Sequence, residues 1–228
     1  MNESNIKLAA PNIDSSLRQK HILRIPSEAN AASGIVINGR MIKTFVFTTD
    51  IAIIRNCDAD AVFAVYPFTP QAAISGAIIN SSYIPVFCGV GGGTTQGPRT
   101  VLLAKDVESQ GAMGVVLNAP ITNQNLMAVS KSVDIPVIVT VPTADVDIDA
   151  RLAAGASIIN VAAGINTPDL VRKIRSEHPD TPIIASGGNT PEAIARTIEA
   201  GANAITFTPP STKELFSGIM EKYRGDSE

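Results

Sequence analysis

The chain has no tryptophan, and aromatic residues make up only 4% of its 228 residues. Charged residues are also scarce, at 17%, and the formal net charge is −3. A mildly acidic chain that is short of stacking aromatics lacks the features of a nucleic-acid-binding protein. Its two cysteines, Cys57 and Cys88, cannot build a disulfide framework, so we expect a reducing, cytoplasmic location.

Long apolar runs are missing as well. None approaches the roughly 18 residues that a membrane-spanning helix needs, and the opening MNESN is unlike the charged start of a signal peptide. We therefore expect no membrane partner. What the chain has in quantity is aliphatic: hydrophobic residues make up 45% of it, which is too many for a disordered chain.

The apolar residues fall into eight short runs rich in β-branched side chains. Within each run they are nearly continuous rather than alternating with polar residues, a pattern typical of parallel strands that are buried on both faces. The intervening stretches are rich in Ala, Leu, Glu, Lys and Arg, which favour helix. The runs cover residues 43–49, 61–66, 85–89, 114–118, 136–141, 157–161, 182–186 and 203–207.

Two residue patterns alternate at the starts of these runs. A proline opens the third, fifth and seventh runs, and it suits the first residue of a strand because no ladder donor is needed there. A Gly-Ala pair precedes the fourth, sixth and eighth, and its glycine suits the left-handed position at the end of a helix. The repeating unit is therefore a β-α-β-α pair. The residues are Pro85, Pro136 and Pro182, and the pairs at 111–112, 155–156 and 201–202.

Eight strands that alternate with helices predict an α/β fold, a closed (β/α)8 TIM barrel. The alternative is an open doubly wound sheet, which would need edge strands of weaker hydrophobicity than these uniform runs. We expect residues 34–228 to form one barrel, and residues 1–33 to be an N-terminal extension with a short helix near 15–24. Residues 35–42 predict a β-hairpin with a type I′ turn at Asn38-Gly39, placed to cap the bottom of the barrel.

In such a barrel the active site lies at the carboxyl ends of the strands, so the residues that end the runs are the candidates. Asp50 is the only carboxylate directly at a strand end, where it is either a general base or the N-cap of the next helix. Cys88 is either a catalytic nucleophile or a packing residue. Asn118 and Asn160 hydrogen-bond either a substrate or loop backbone.

Lysine and histidine are missing from these strand ends. A Schiff-base aldolase needs a buried lysine amine beside the substrate carbonyl, so that mechanism is disfavoured. No cluster of His, Cys, Asp and Glu has the spacing of a metal site. We therefore predict a metal-independent protein and expect no cofactor.

Four glycines in five residues, from Gly89 to Gly93, form the most unusual loop of the chain. The large conformational entropy lost in ordering such a run indicates a specific role for its backbone; a flexible surface loop is the alternative. We predict that Gly91 and Gly92 contact a ligand. We also predict that Arg99, further along the same segment, binds a phosphate or carboxylate group of that ligand.

A second glycine pair, Gly187-Gly188, follows the seventh run and opens a helix that begins with the N-cap pattern Thr190-Pro191-Glu192. Across residues 182–192 and 199–205 the sequence resembles the phosphate-binding (β/α)8 barrels, which include the ribulose-phosphate-binding group and the flavin-binding barrels. The resemblance covers about one strand-helix-strand unit. It implies that Ser186, Gly187 and Gly188 hold a phosphate group, which in the flavin-binding barrels belongs to FMN.

The turn after the eighth run departs from that pattern. Those barrels carry a glycine-containing turn whose N–H groups complete the phosphate site, whereas this chain has Pro209-Pro210, which removes two donors. Ser211 and Glu214 fit a capping box, in which the helix N-terminus is filled by its own side chains. Ser211 is also our candidate phosphate ligand at this end of the barrel.

Three functions are compatible with these features. The first is an enzyme that acts on a small anionic, phosphorylated metabolite as an isomerase or lyase, with hydrolysis as a further option. The second is a non-catalytic barrel that senses such a metabolite. The third is an FMN-dependent oxidoreductase. Whether the protein forms a homo-oligomer is left open.

Overall fold

The computed structural model describes residues 11, 13, 15, 16, 22–186 and 188–225. Its β-strands are β1 (Ile35–Ile37), β2 (Arg40–Ile42), β3 (Thr44–Phe47), β4 (Ala61–Ala64), β5 (Val86–Gly91), β6 (Gly114–Leu117), β7 (Val137–Val141), β8 (Ile158–Val161), β9 (Ile183–Ser186) and β10 (Ala204–Phe207).

The α-helices of the described residues are α1 (Ile51–Ile54), α2 (Ala72–Ser81), α3 (Pro98–Ser109), α4 (Asn123–Ser130), α5 (Ile148–Ala153), α6 (Thr167–Glu177), α7 (Pro191–Glu199) and α8 (Thr212–Gly225), and short 3-10 turns lie at Ser27–Ala31 and Gly164–Asn166. Across this part of the chain, no helix has the length and apolar character needed to cross a bilayer.

Strands β3 to β10 close into a parallel barrel, with β10 pairing β3. This confirms the predicted TIM barrel, and each predicted apolar run overlaps one barrel strand. Because the strands are covered by helices outside and by one another's side chains inside, most of their residues are buried on both faces. The largest difference from the prediction is at β5, which runs to Gly91 rather than Gly89 because its register against β6 shifts between these two glycines.

The predicted hairpin is present as β1 and β2, which pair in antiparallel register. Both turn residues, Asn38 and Gly39, have positive φ (49° and 78°), as a type I′ turn requires. Ile35 and Ile37 pack in the same apolar cluster as the lowest inward residues of the barrel, among them Ala61. The hairpin therefore closes the amino-terminal end of the barrel, and any ligand must enter from the opposite end.

The predicted helix near residues 15–24 lies largely on residues outside the described part of the chain. At its described end, Leu23 forms a parallel bridge with Cys57, and its N–H donates to the Asn56 carbonyl (2.8 Å). The side chain of Asp58 also accepts a hydrogen bond from Ile25 N (2.7 Å). The chain at Leu23 is thus extended and fastened to the loop after α1, because it pairs there with backbone instead of continuing a helix.

The interior of the barrel is stacked in layers, each built from alternate strands. The strand registers place Ala61, Gly114, Ile158 and Ala204 at the bottom and Phe45, Phe87, Ile138 and Ile184 above them. These two layers contain no polar side chain. A solid apolar floor therefore lies under the mouth of the barrel, and chemistry is confined to the layers above it.

Candidate functional site

The inner surface of the barrel becomes polar towards the carboxyl ends of β6 to β10. Every second residue of a strand faces the barrel axis. On β7 to β10 the inward residue that follows the apolar layers is polar, and on β6 a polar residue follows one inward position later, after Val116. We call this set the polar arc. Its members are Asn118, Thr140, Asn160, Ser186 and Thr206.

Three members of the polar arc are joined by hydrogen bonds across neighbouring strands. Asn160 Nδ2 donates to Thr140 Oγ1 (3.1 Å), and the same hydroxyl donates to Asn118 Oδ1 (3.2 Å). The chain uses one amide atom of each asparagine. Asn118 keeps its Nδ2 as a donor for another group, and Asn160 keeps its Oδ1 as an acceptor.

Two buried atoms of the arc have no hydrogen-bond partner among the described residues, Asn160 Oδ1 and Thr206 Oγ1. Each of these residues is only 5% exposed. The registers place both in one layer, whose other members are Phe63 and Val116. Buried polar atoms in native proteins nearly always have a partner, and the described residues provide none for these two atoms.

The wall opposite the polar arc, on β3 to β5, is aromatic. Phe45 meets Phe63 (ring centroids 5.7 Å apart) and Phe87 (5.1 Å) edge to face, and Phe47 stacks at a tilt on Phe63 (6.3 Å). These edge-to-face contacts hold the rings in fixed positions. Because Phe45 and Phe87 belong to the apolar floor, Phe47 and Phe63 form the rigid apolar side of the mouth, opposite the neutral hydrogen-bonding groups of the polar arc.

A cavity of about 230 Å³ opens above the carboxyl ends of β4, β5 and β6. Asn118 lines it and so connects it to the polar arc, while the remaining walls come from the β4–α2 loop, including Tyr66 and Phe68, and from the glycine-rich loop after β5. Pockets for drug-sized molecules hold roughly 300–1,000 Å³. This one has the size for a small metabolite or for part of one.

The glycine-rich loop is held closely against neighbouring backbone. A Cβ at Gly92 would lie 2.2 Å from the carbonyl oxygen of Asn118, and one at Gly91 would lie 2.5 Å from Thr100 Cγ2. Gly92 N donates to Thr95 O (2.9 Å). The close packing against Asn118 and Thr100 accounts for glycine at both positions.

Asp50 serves as the N-cap of α1. Its Oδ1 accepts hydrogen bonds from Ala52 N (2.8 Å) and Ile53 N (3.4 Å), and its Oδ2 accepts one from the Thr212 hydroxyl at the start of α8. These contacts are those of a helix N-cap, which was the alternative to a general base. A role as general base would use a carboxylate that already accepts three hydrogen bonds.

The N-termini of α7 and α8 are filled by their own side chains. Thr190 Oγ1 accepts from Ala193 N (3.3 Å), and Ser211 and Glu214 form the predicted capping box, with Ser211 N donating to Glu214 Oε2 (2.7 Å) and Glu214 N to Ser211 Oγ (3.2 Å). The hydrogen bonds from Ser211 lower the pKa of Glu214. Gly188 has a φ of 83°, and Gly187 lies outside the described residues.

Cys88 lies on the outer face of β5, within the apolar layer between strands and helices, and is fully buried. Burial raises the pKa of its thiol to about 12. Because the thiolate is the nucleophilic form, this placement corresponds to the packing alternative. Arg99 is exposed in the first turn of α3, and it is not among the residues that line the cavity.

The structure therefore brings together some of the predicted site residues and separates others. Asn118, Gly91 and Gly92 lie on one cavity, and Asn118 is linked to Asn160 through a residue that the sequence analysis overlooked, Thr140. Thr206 was also overlooked. Both threonines lie inside apolar runs, and the only signal that could have found them is the inward alternation that they share with the two asparagines.

No protein-family model matches the chain, and no curated protein matches it by sequence. Among solved structures, phosphoenolpyruvate phosphomutase from Streptomyces platensis subsp. rosaceus is 13% identical (TM-score 0.62), covering 92% of this chain and 85% of that one. 2,3-Dimethylmalate lyase, a PEP mutase/isocitrate lyase superfamily member, is 16% identical (TM-score 0.60; 93% and 88%). Phosphonopyruvate hydrolase in complex with oxalate and Mg++ is 14% identical (TM-score 0.62; 89% and 88%). These likenesses establish the barrel fold.

The third of these structures holds magnesium, so the donors of the present chain were compared with what that ion requires. Mg²⁺ binds through carboxylates and water. The described residues contain no group of three or more His, Cys, Asp or Glu side chains that could hold a metal ion, and the polar arc consists of amides and hydroxyls. The polar arc itself therefore offers no carboxylate to a magnesium ion.

Proposed function

We propose that the protein is an enzyme that acts on a small, phosphorylated metabolite bound at the carboxyl-end mouth of the barrel. The observation that carries the proposal is the continuity between the cavity and the polar arc, in which Asn118 lines the first and belongs to the second. The solved neighbours named as mutase, lyase and hydrolase support lyase, isomerase or hydrolase chemistry on an anionic substrate.

Two parts of the mouth would bind the two ends of the ligand. The glycine-rich loop brings backbone close to the ligand, and Asn118 Nδ2 is a neutral donor for an anionic or carbonyl oxygen. The polar arc positions the other end of the ligand against the aromatic wall. Fixed neutral donors of this kind stabilise developing negative charge without reorganising during the reaction.

The test is a thermal-shift screen against phosphorylated sugars, phosphorylated hydroxy acids, nucleotides and FMN, each with MgCl2 and with EDTA. A ligand that binds only the folded state raises the melting temperature with its concentration. We expect a phosphorylated small metabolite to raise it in both conditions. A protein that responds to no anion would contradict the proposal, and a response confined to the MgCl2 arm would show that a metal completes the site.

One observation favours a second candidate, a barrel that senses the metabolite without converting it. Two carboxylates at the mouth, Asp50 and Glu214, are both engaged in caps, which leaves little provision for proton transfer. The FMN alternative has weaker support, because the N-termini of α7 and α8 are filled by Thr190 and Ser211. An FMN-binding protein would purify yellow.

The substitution Asp50→Asn separates the enzyme from the sensor. Asparagine keeps an oxygen that can cap α1 but cannot accept a proton as a base, so the fold should survive. If Asp50 is the base, turnover of the ligand identified in the screen should fall by about 100-fold or more, with binding retained. Turnover at the wild-type rate would remove Asp50 from the mechanism, and binding without turnover in the wild-type protein would favour the sensor.

A further inference from the structure

We propose that the barrel layer that holds Asn160 and Thr206 is a hydroxyl-binding subsite, which makes the ligand a phosphorylated alcohol, such as a phosphorylated polyol or hydroxy acid. The inference deepens the proposed function and rests on it for the phosphate group. It is carried by two orphaned atoms, Asn160 Oδ1 and Thr206 Oγ1, that share one layer of the barrel.

A hydroxyl satisfies both atoms at once. Asn160 Oδ1 is an acceptor, so its partner must donate a hydrogen, which a carboxylate, a phosphate dianion or a ketone cannot do. Thr206 Oγ1 can accept a hydrogen bond as well as donate one, and its own hydrogen is used only by a partner that accepts, which an amide nitrogen or an ammonium group cannot do. A ligand hydroxyl donates to Asn160 Oδ1 and accepts from Thr206 Oγ1.

The absence of charge on the surrounding residues also favours a hydroxyl as the bound group. The five residues of the polar arc are uncharged at neutral pH, and the rest of this layer is Phe63 and Val116. An ammonium group placed here would be desolvated with no carboxylate to pair with, which is strongly unfavourable. A neutral hydroxyl enters the same space with its hydrogen bonds complete.

The position of the subsite also limits the ligand. It lies below Ser186 and Thr140, the polar members of the next layer up, and faces the aromatic wall at Phe63. The buried end must therefore be narrow, with its carbon atoms against the ring. The phosphate group then lies outward, towards Asn118 and the glycine-rich loop at the cavity.

Matched probes test this directly: glycerol 3-phosphate, which carries hydroxyls, n-propyl phosphate, which does not, and glycerol, which lacks the phosphate. Binding is measured by calorimetry, and the side-chain amide signal of Asn160 is followed by NMR. We expect glycerol 3-phosphate to bind about tenfold more tightly than n-propyl phosphate, since a buried polar group left unpaired weakens binding by about 5- to 150-fold. Only probes with a hydroxyl should shift the Asn160 signal.

Thr206→Val removes the hydroxyl while keeping the shape of the side chain. It should lower the affinity ratio of the two phosphates, because only Asn160 Oδ1 then remains to bind the ligand hydroxyl. Asn160→Leu is the second variant, and Thr197→Val, whose hydroxyl bonds within α7 (2.8 Å to Ala193 O), is the control that should keep the wild-type ratio.

The outcomes separate the subsite from the phosphate proposal. Equal affinity of the two phosphates for the wild-type protein, or an unchanged ratio in Thr206→Val, overturns the subsite and means that water alone fills the space. If neither phosphate binds but glycerol shifts the Asn160 signal, the subsite stands and the phosphate part of the proposed function fails. If no probe binds or shifts the signal, both are wrong.

Discussion

Replacing Gly92 by alanine is expected to destabilise the protein by about 3–4 kcal/mol, at the upper end of single-substitution effects. Two independent causes act at this position. The new Cβ would lie 2.2 Å from the carbonyl oxygen of Asn118 and 2.6 Å from its carbonyl carbon, and backbone cannot give way as a flexible side chain can. Gly92 also has a φ of +111°, which residues with a Cβ adopt only with strain.

Gly92→Ala should weaken ligand binding as well as lower the stability of the fold. To relieve the clash, the end of β6 must move away from the glycine-rich loop, and Asn118 moves with it. The hydrogen bond from Thr140 to Asn118 (3.2 Å) would then be lost or lengthened. Urea unfolding measures the loss of stability, and the thermal shift given by the best ligand of the screen measures the loss of binding.

Gly93→Ala is the matched control. The neighbouring residue also has positive φ (+63°), but a Cβ there would meet no atom within 4 Å. It lies in the small left-handed region that other residues tolerate at a cost of about 1–2 kcal/mol. Equal losses in the two variants would show that backbone conformation alone, rather than the approach to Asn118, requires glycine in this loop.

The sequence was sufficient to predict the barrel because its evidence is repeated along the chain. Each of the eight apolar runs is ambiguous alone, but proline before one strand and Gly-Ala before the next, as at Pro136 and Gly155, fix their alternation. The hairpin was predictable for a different reason: Asn38-Gly39 is a local turn signal that needs no tertiary contact. Both signals are confirmed in the structure.

The candidate site was less predictable, because its members share an inward orientation of the side chain rather than a residue type. Thr140 and Thr206 are ordinary β-branched residues within strands, and only the barrel register shows that they face the axis beside Asn160. Conversely, Cys88 has a reactive side chain at a strand end, but the same alternation turns it outward into the helix layer. A residue list taken from strand ends therefore mixes the two faces of each strand.

Helix capping is a second reason why the candidate site was less predictable than the fold. Asp50, Thr190 and Ser211 all follow barrel strands, where catalytic residues are expected, yet each one hydrogen-bonds the first turn of the following helix. In this architecture the rim of the barrel is also where eight helices begin, and helix N-termini select the same short polar side chains. Sequence position alone therefore does not distinguish a helix-capping residue from a catalytic one.

At the opposite end of the barrel, a single arginine joins the last two β-α units. The guanidinium of Arg175, on α6, donates to the carbonyl oxygens of Pro179 (2.6 Å), Thr181 (2.9 Å) and Gly201 (3.0 Å) and to Asn203 Oδ1 (2.6 Å). Burial lowers its pKa, partly offset by Asp180. Asn203 in turn accepts from Ile183 N (2.9 Å), so the entries to β9 and β10 are held by one cluster.

Arg175→Ala should therefore lower the free energy of unfolding by about 3 kcal/mol, because hydrogen bonds to a charged group contribute about 1.5–3 kcal/mol and the carbonyls left behind have no replacement. For a chain of this size that corresponds to roughly 6–12 °C in melting temperature. Arg175→Lys should recover only part of the loss, since one ammonium group cannot match the planar five-donor fork of arginine.

Arg172→Ala, on the same helix, is the control. Arg172 forms an exposed ion pair with Asp169 (2.8 Å), and exposed pairs of this kind contribute about 0.5 kcal/mol or less. Ligand affinity should be unchanged in both alanine variants, because the Arg175 cluster lies at the amino-terminal end of β9 and β10 and the polar arc at their carboxyl end. If Arg175→Ala is no less stable than Arg172→Ala, the cluster does not hold these strands, and β9 and β10 are positioned by their apolar packing alone.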